Sequence, residues 1–261
     1  MAPAVRQRST AARVALAVFA ALAFCGFLAL GTWQVERRAW KLDLIARVDQ
    51  RVHAPAGTAP GRNEWPTVNA ANDEYRHIRI AGTFLHDKET LVQASTRLGA
   101  GFWVLTPLKA ADGTVVLVNR GFVPPEARER SARTASEPQG ETTVAGLLRL
   151  TEPKGGFLRK NDPAADRWFS RDVQAIATAR GLADVAPYFV DAAAATAQPT
   201  DTPAWPAAGL TVIAFPNSHL VYALTWYGLA LMVLIAAWFV RRSENAGDAD
   251  ARPAPQDARR D

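Results

Sequence analysis

Residues 14–30 read VALAVFAALAFCGFLAL, and residues 220–240 read LVYALTWYGLALMVLIAAWFV. Neither run contains a charged side chain, and Gly31-Thr32-Trp33 extends the first one. A helix needs about 20 apolar residues to cross about 30 Å of hydrocarbon. Only a helix satisfies the backbone of a single segment in lipid. The sequence therefore predicts two transmembrane helices, at 14–33 and 219–240.

These two spans divide the rest of the chain into three parts. Residues 1–13 form a short basic tail, and residues 34–218 are long enough for a substantial folded domain. Residues 241–261 are polar and rich in Pro, Ala and Asp, a composition that predicts disorder. We expect the helix of the first span to continue out of the membrane, because residues 33–52 keep apolar side chains at helical spacing.

The distribution of positive charge predicts the topology. Arg241-Arg242 follow the second span and no charge closely precedes it, which places the C-terminus in the cytoplasm. The first run continues to Trp33 without a small-residue cleavage site, so we expect a retained anchor instead of a signal peptide. Both tails are then cytoplasmic and residues 34–218 extracytoplasmic. The Ala/Arg-rich composition and the short N-terminus favour a bacterial inner membrane, with a periplasmic domain, over a mitochondrial one.

The net charge of +5 does not indicate nucleic-acid binding. Residues 32–218 carry 22 Lys+Arg against 20 Asp+Glu, so the excess lies mainly in the N-terminal tail beside the membrane. No basic stripe with interleaved aromatic residues is present, and we expect membrane lipid, not nucleic acid, as a partner. The single cysteine, Cys25, lies inside the first span, so no disulfide and no thiolate metal cluster is expected in the domain.

Alternating hydrophobicity predicts a β-rich domain between the spans. Strands are predicted at Tyr75–Phe84, Thr90–Ser95, Gly101–Pro107, Thr114–Asn119, Thr142–Leu150, Pro187–Ala192 and Leu210–Ala214. Asp112-Gly113 is a hairpin signal between the third and fourth of them. Arg167–Arg180 is predicted to be a helix that ends at Gly181. The fold class predicted is an α+β membrane protein, with two transmembrane helices flanking a mostly antiparallel, barrel-like β domain that carries one or two helices.

No catalytic motif is apparent, and His219 is the candidate functional residue. The chain lacks a nucleophile elbow, a Gly-rich phosphate loop and a zinc-binding His pair, so we expect no enzyme activity. An ionisable side chain at the end of a membrane helix is a candidate site, and imidazole is an axial ligand of haem iron. Tyr222 and Trp226 lie three and seven residues on, on the same helical face, where they can flank a porphyrin. The alternative is an interfacial belt of His, Tyr and Trp that binds nothing.

Several segments, in order along residues 30–240, resemble one family. They are LGTWQ (30–34), EYR (74–76), GTF (82–84), VLVNRGFVP (116–124), WF (168–169), PYFV (187–190) and HLVYALTWYG (219–228). Together they are similar to the surfeit locus protein one, or Shy-type, family of cytochrome c oxidase assembly factors. Each motif is weak alone, and the run around Asn119-Arg120-Gly121 is the most specific one in the domain.

The resemblance implies a role in assembling haem-copper cytochrome oxidase, with haem a as a transient cofactor inserted into the catalytic subunit. In bacterial members of the family, haem a binding is attributed to a histidine at the position of His219, which would be the iron ligand. The implied partners are the oxidase catalytic subunit and the proteins of haem a synthesis. Two alternatives stay open: a haem-independent chaperone that clasps an oxidase subunit, and a less favoured enzyme of haem modification. For Arg120, pairing with a haem propionate and a structural role both stay open.

Overall fold

The computed structural model describes residues 9–156, 158–194, 205–213 and 215–250. The chain divides into a helical unit, Met1–Ile45 with Phe215–Asp261, and a second unit, Ala46–Ala214. Residues 1–8 and 251–261 of the predicted tails, and residues 195–204 between the last two predicted strands, lie outside the described residues.

Two long helices contain the apolar runs. Helix α1 spans Thr10–His53 and helix α3 spans His219–Asp250, with a short helix α2, Val173–Ala179, between them in the chain. By length and composition α1 and α3 are both able to cross a membrane. Helix α1 has 44 residues and is about 66 Å long, more than twice the hydrocarbon thickness of about 30 Å. Helix α1 is therefore long enough to extend beyond a bilayer, and residues 33–52 are helical, as their spacing predicts.

A seven-stranded sheet forms the second unit. Its strands are β1 Gly57–Thr58, β2 His77–Phe84, β3 Thr90–Thr96, β4 Gly99–Lys109, β5 Val115–Val123, β6 Glu141–Leu150 and β7 Val185–Ala192. They lie in the order β1-β2-β6-β7-β5-β4-β3, and β2 also pairs with β4, which closes the sheet into a barrel. Most pairings are antiparallel, and β4 and β5 form the hairpin that Asp112-Gly113 predicts. The fold class predicted from the sequence is confirmed.

Two pairings in the sheet are parallel, β1 with β2 and β7 with β5. Strand β7 lies between β6 and β5, antiparallel to the first and parallel to the second. Every residue of β5 is buried, as is typical of a strand with parallel neighbours and covered faces. Val116 and Val118 point into one apolar cluster with Tyr188, while Leu117 joins a second cluster with Trp168. Helix α2 supplies Val173, Ile176 and Ala175 to that second cluster.

Two predicted elements differ from the structure. The predicted helix Arg167–Arg180 is helical only from Val173, because residues before it extend along β3, where Gln93 donates its backbone N–H to the Trp168 carbonyl at 2.8 Å. Asp172 caps the shortened helix, and Gly181 ends it with a φ of 61°. The predicted strand 210–214 is wrong over its described residues, 210–213, which form no strand.

Helix α3 also extends past its predicted end. It continues through Asp250, so residues 241–250 of the predicted disordered tail are helical. Ser243 donates its hydroxyl to the Val240 carbonyl at 2.8 Å inside this extension. Residues 243–246 contain no Pro or Gly, so nothing before Gly247 interrupts the helix that the apolar run has started.

Candidate functional site in the helical unit

The candidate site is built on the antiparallel seam between α1 and α3. Phe27 stacks on Trp226, with ring centroids 5.7 Å apart, and Thr32 lies 3.3 Å from the Tyr227 hydroxyl. At the residue before Thr32, a Cβ at Gly31 would meet the Tyr227 ring at 2.7 Å, so glycine is required for this close approach. On α1 the contact residues Phe27, Gly31 and Gln34 lie four and three residues apart, so one face of α1 meets α3.

A hydrogen bond between Gln34 and His219 closes the seam. The Gln34 Oε1 atom lies 2.7 Å from His219 Nδ1, and Gln34 is only 9% exposed. An amide oxygen has only acceptor lone pairs, so the proton of this bond is on Nδ1 when the carbonyl faces the ring. Polar side chains that bond across membrane helices in this way hold the helices together.

The bond has a chemical consequence for the other ring nitrogen. In a neutral imidazole with the proton on Nδ1, the Nε2 atom carries the lone pair. Within the described residues no hydrogen bond to His219 Nε2 is found, and the side chain is half-buried, not enclosed. Metal-bound histidines commonly donate their second N–H to a fixed acceptor, which sets the tautomer and the ring orientation. Gln34 and His219 have this arrangement, so His219 fits a single axial iron ligand.

The two aromatic residues predicted beside His219 lie in different environments. Tyr222 is 55% exposed, and in the described part of the chain its ring and hydroxyl have no ring partner or hydrogen bond. Trp226 is half-buried because one of its faces stacks on Phe27. The structure thus places His219 and Trp226 at the seam and Tyr222 on the exposed side of the same helix.

The Asn119-Arg120-Gly121 motif lies in the second unit, Ala46–Ala214, called the barrel unit from here on. Asn119 accepts the Gly121 N–H at 3.1 Å, and Gly121 has a φ of 132°, a backbone conformation that favours glycine. Arg120 is 8% exposed, donates to the Ser136 carbonyl at 2.8 Å and lies over the Phe84 ring. Burial lowers the pKa of the Arg120 guanidinium, partly opposed by Glu89 and Glu137. These contacts are consistent with a structural role, and among the described residues its buried Nη1 atom has no hydrogen-bond partner.

Sequence reasoning missed a buried ionic network around Asp191. The Asp191 carboxylate accepts from Arg149 at 2.9 Å and from Arg171 at 3.1 Å, and both arginines also pair with Glu152. Burial lowers the pKa of Arg149, but Asp191 and Glu74 raise it more, and it stays above its ordinary value. An acidic residue inside the apolar strand PYFVDA was the signal that could have revealed the network.

Among the described residues no cluster of three or more His, Cys, Asp and Glu is placed to hold a metal ion. Residues 21–231 match the SURF1 family. "Surfeit locus protein 1" of Homo sapiens is 37% identical over 220 residues, covering 77% of this chain and 69% of the human protein. The protein of that name from Rattus norvegicus is 35% identical, covering 82% and 72%. A "SURF1-like protein" of Monosiga brevicollis is 33% identical, covering 87% and 88%.

Proposed function

Because this chain belongs to the SURF1 family, we propose that it binds haem a transiently through His219 and aids its insertion into the catalytic subunit of cytochrome c oxidase. Membership of the family implies a role in cytochrome c oxidase assembly. The chain is a membrane protein with two candidate spans. Haem binding, its ligand and the recipient subunit are the parts that we propose.

The observation that carries the proposal is the 2.7 Å bond between Gln34 and His219. It holds the imidazole at one end of α3 and leaves Nε2 as the free lone pair. When bound, haem a would supply an iron with an open axial position for a neutral imidazole. The partly exposed ring of Tyr222 and the edge of Trp226 would line the porphyrin beside it.

Transfer of the cofactor requires modest binding. A single protein ligand meets this requirement, since a carrier with two strong axial ligands would release haem slowly. Gln34 would keep the ring oriented before and after release, so that no rearrangement of the helix pair accompanies transfer. The chain itself would therefore act as a carrier without catalysing a reaction. Besides the catalytic subunit, we propose the proteins of haem a synthesis as partners.

A second function is favoured by the same bond. Gln34 and His219 join α1 to α3, and a polar bridge of this kind stabilises a membrane helix pair with no ligand present. The protein would then be a haem-independent chaperone that clasps an oxidase subunit during maturation. The two functions differ in whether His219 Nε2 is used.

The deciding experiment is a visible spectrum with pyridine haemochrome typing of detergent-purified protein from cells that make haem a. We expect haem a in the wild type and in a His53→Ala control, since His53 is exposed at the C-terminal end of α1 and is not part of the His219 site. We expect its loss in His219→Ala with unchanged far-UV circular dichroism. A colourless wild type, or a His219→Ala protein that keeps its haem a, would exclude haem ligation by His219 and leave the chaperone.

A further inference from the structure

A cavity of about 240 Å³ lies in the barrel unit. Pockets for drug-sized ligands have volumes of about 300–1,000 Å³, so this one suits a smaller group. Arg97, in the turn between β3 and β4, and Val212, which is 78% exposed, both line it, so the cavity opens to solvent. Its inner wall is made by the network around Asp191. The cavity is independent of the His219 site, and the inference below does not rest on haem binding.

The charged residues that line the cavity have an excess of positive charge. They are three arginines, Arg97, Arg149 and Arg171, and one acid, Asp191, a net charge of +2. Glu74 and Glu152 pair with Arg149 but do not line the cavity. The charged residues of the lining are therefore mostly cationic, while Glu74 and Glu152, which pair with Arg149 and Arg171, are not part of the lining.

Asp191 offers little to a ligand because its acceptor sites are already used. It accepts from Asn119 at 2.7 Å, Arg149 at 2.9 Å, Thr211 at 3.0 Å and Arg171 at 3.1 Å. A carboxylate has about four lone-pair sites, so these four bonds saturate it. A cation entering the cavity would find no free acceptor on the one acid that lines it.

Donors, in contrast, remain available. Arg149 donates through Nε to Glu74 and through Nη1 to Asp191, whereas its Nη2 atom reaches Glu152 only at 3.7 Å, beyond hydrogen-bond length. Arg97 is exposed, and in the described part of the chain its guanidinium makes no hydrogen bond or ion pair. Ser95 and Thr96 also line the cavity. Guanidinium donors beside hydroxyls recognise the oxygens of carboxylate and phosphate groups.

We propose that this cavity is a binding site for a compact oxyanion, a phosphate or carboxylate group, held by Arg97 and Arg149. Arg171 remains hydrogen-bonded to Asp191 and Glu152, and these bonds keep the cavity wall rigid. The oxyanion is either a free small anion or the acidic group of a larger molecule, since both present the same oxygens to the two guanidinium groups.

Isothermal titration calorimetry on the full chain in detergent tests the site, with inorganic phosphate and acetate as probes and chloride at matched ionic strength as the reference. We expect both oxyanions to bind and chloride to give no saturable heat. Phosphate methyl ester separates the two sources: if it binds as well as phosphate, the site accepts an acidic group of a larger molecule, and if it fails, the site takes free anions.

Arg97→Gln is the first variant, because an exposed side chain without partners can be replaced without disturbing the fold. Loss of one charged donor is expected to weaken phosphate binding about tenfold. The matched control is Arg79→Gln, on an exposed position of β2 that does not line the cavity, and its affinity should stay within about twofold. Saturable chloride binding of equal strength, or equal losses in the two variants, would overturn the proposal.

Discussion

At the residue scale, the contact between Gln34 and His219 combines structural and chemical roles. The bond joins two residues that are 185 positions apart in sequence, one on each helix, and it also selects which imidazole nitrogen is protonated. The sequence indicates both residues, because each is a polar group at the end of an apolar run. It cannot show that they meet, since that requires the rotation of each helix about its axis, which many weak packing contacts determine together.

Replacing Gln34 by Met should weaken haem a binding about 10–100-fold, as is usual when a fixed partner of a metal-bound histidine is removed. Met has a similar length but no carbonyl acceptor for the Nδ1 proton. Haem affinity is measured by absorbance titration, and the tautomer by ¹⁵N chemical shifts of the labelled histidine ring. Gln34→Glu keeps an acceptor oxygen and should preserve the tautomer. Wild-type affinity in Gln34→Met would show that Gln34 does not position His219.

Gly121 should not tolerate a side chain. Its φ of 132° is unfavourable for other residues, and a Cβ would lie 2.3 Å from the Ala207 carbonyl oxygen. We expect Gly121→Ala to lower the free energy of unfolding by about 3 kcal/mol, measured by denaturant titration. Gly140→Ala is the control: its φ is 70° with no atom within 4 Å, and about 1 kcal/mol is expected. Equal losses would mean that the approach of Ala207 does not matter.

At the element scale, sequence pattern located most strands but not their partners. Hydrophobic pattern predicts strands at Tyr75–Phe84 and Thr142–Leu150, and the structure has β2 and β6 at His77–Phe84 and Glu141–Leu150. That β7 lies parallel to β5 could not be predicted, because hydrophobic pattern gives burial and leaves the pairing partner open. Residues 210–213 have strand-like composition but make a side-chain bond to β7, through Thr211 and Asp191, in place of a ladder.

The α1–α3 seam should depend on Gly31. A Cβ there would meet the Tyr227 ring at 2.7 Å, so a branched side chain would force the helices apart. We expect the Gly31→Ile variant to unfold at a lower SDS concentration than the wild type. Circular dichroism measures this unfolding. Gly26→Ile, where a Cβ meets no atom within 4 Å, should behave like the wild type. If the two variants respond equally to SDS, the close approach of α1 and α3 at Gly31 is not needed.

At the scale of the whole molecule, acid should destabilise the barrel unit. Burial raises the pKa of Glu152, but hydrogen bonds from Arg171 outweigh it and hold the pKa below the ordinary 4.5. A lowered pKa in the folded state stabilises it above pH 4.5, and this contribution is lost as pH falls through the folded pKa. Denaturant titrations from pH 7 to 3 should show the loss. The Glu152→Gln variant should have a lower free energy of unfolding than the wild type at pH 7, and this free energy should change less with pH below pH 4.5. A pH dependence equal to that of the wild type would contradict the assignment of the effect to Glu152.

The topology that we propose places residues 34–218 outside the cytoplasm. In a Cys25→Ala background, cysteine at exposed Thr58 should react with an impermeant maleimide on intact spheroplasts, whereas cysteine at Arg242 should react only after lysis. Labels in the reverse pattern would invert the topology. The positive charges beside the spans predict this topology. They act while the helices insert into the membrane, so a folded structure does not show their effect.

The closure of the barrel through β2 and β4 has a consequence for how the domain meets other proteins. Strands that expose their backbone N–H and C=O groups can recruit an extended peptide as an additional strand. Here β1 is only two residues long, and β3 is flanked by the segment around Trp168, through the bond between Gln93 and the Trp168 carbonyl. The sheet therefore has little open backbone to share, which also protects it against edge-to-edge aggregation. We therefore expect that a protein binding this domain would contact its side chains and loops and would not add a strand to its sheet.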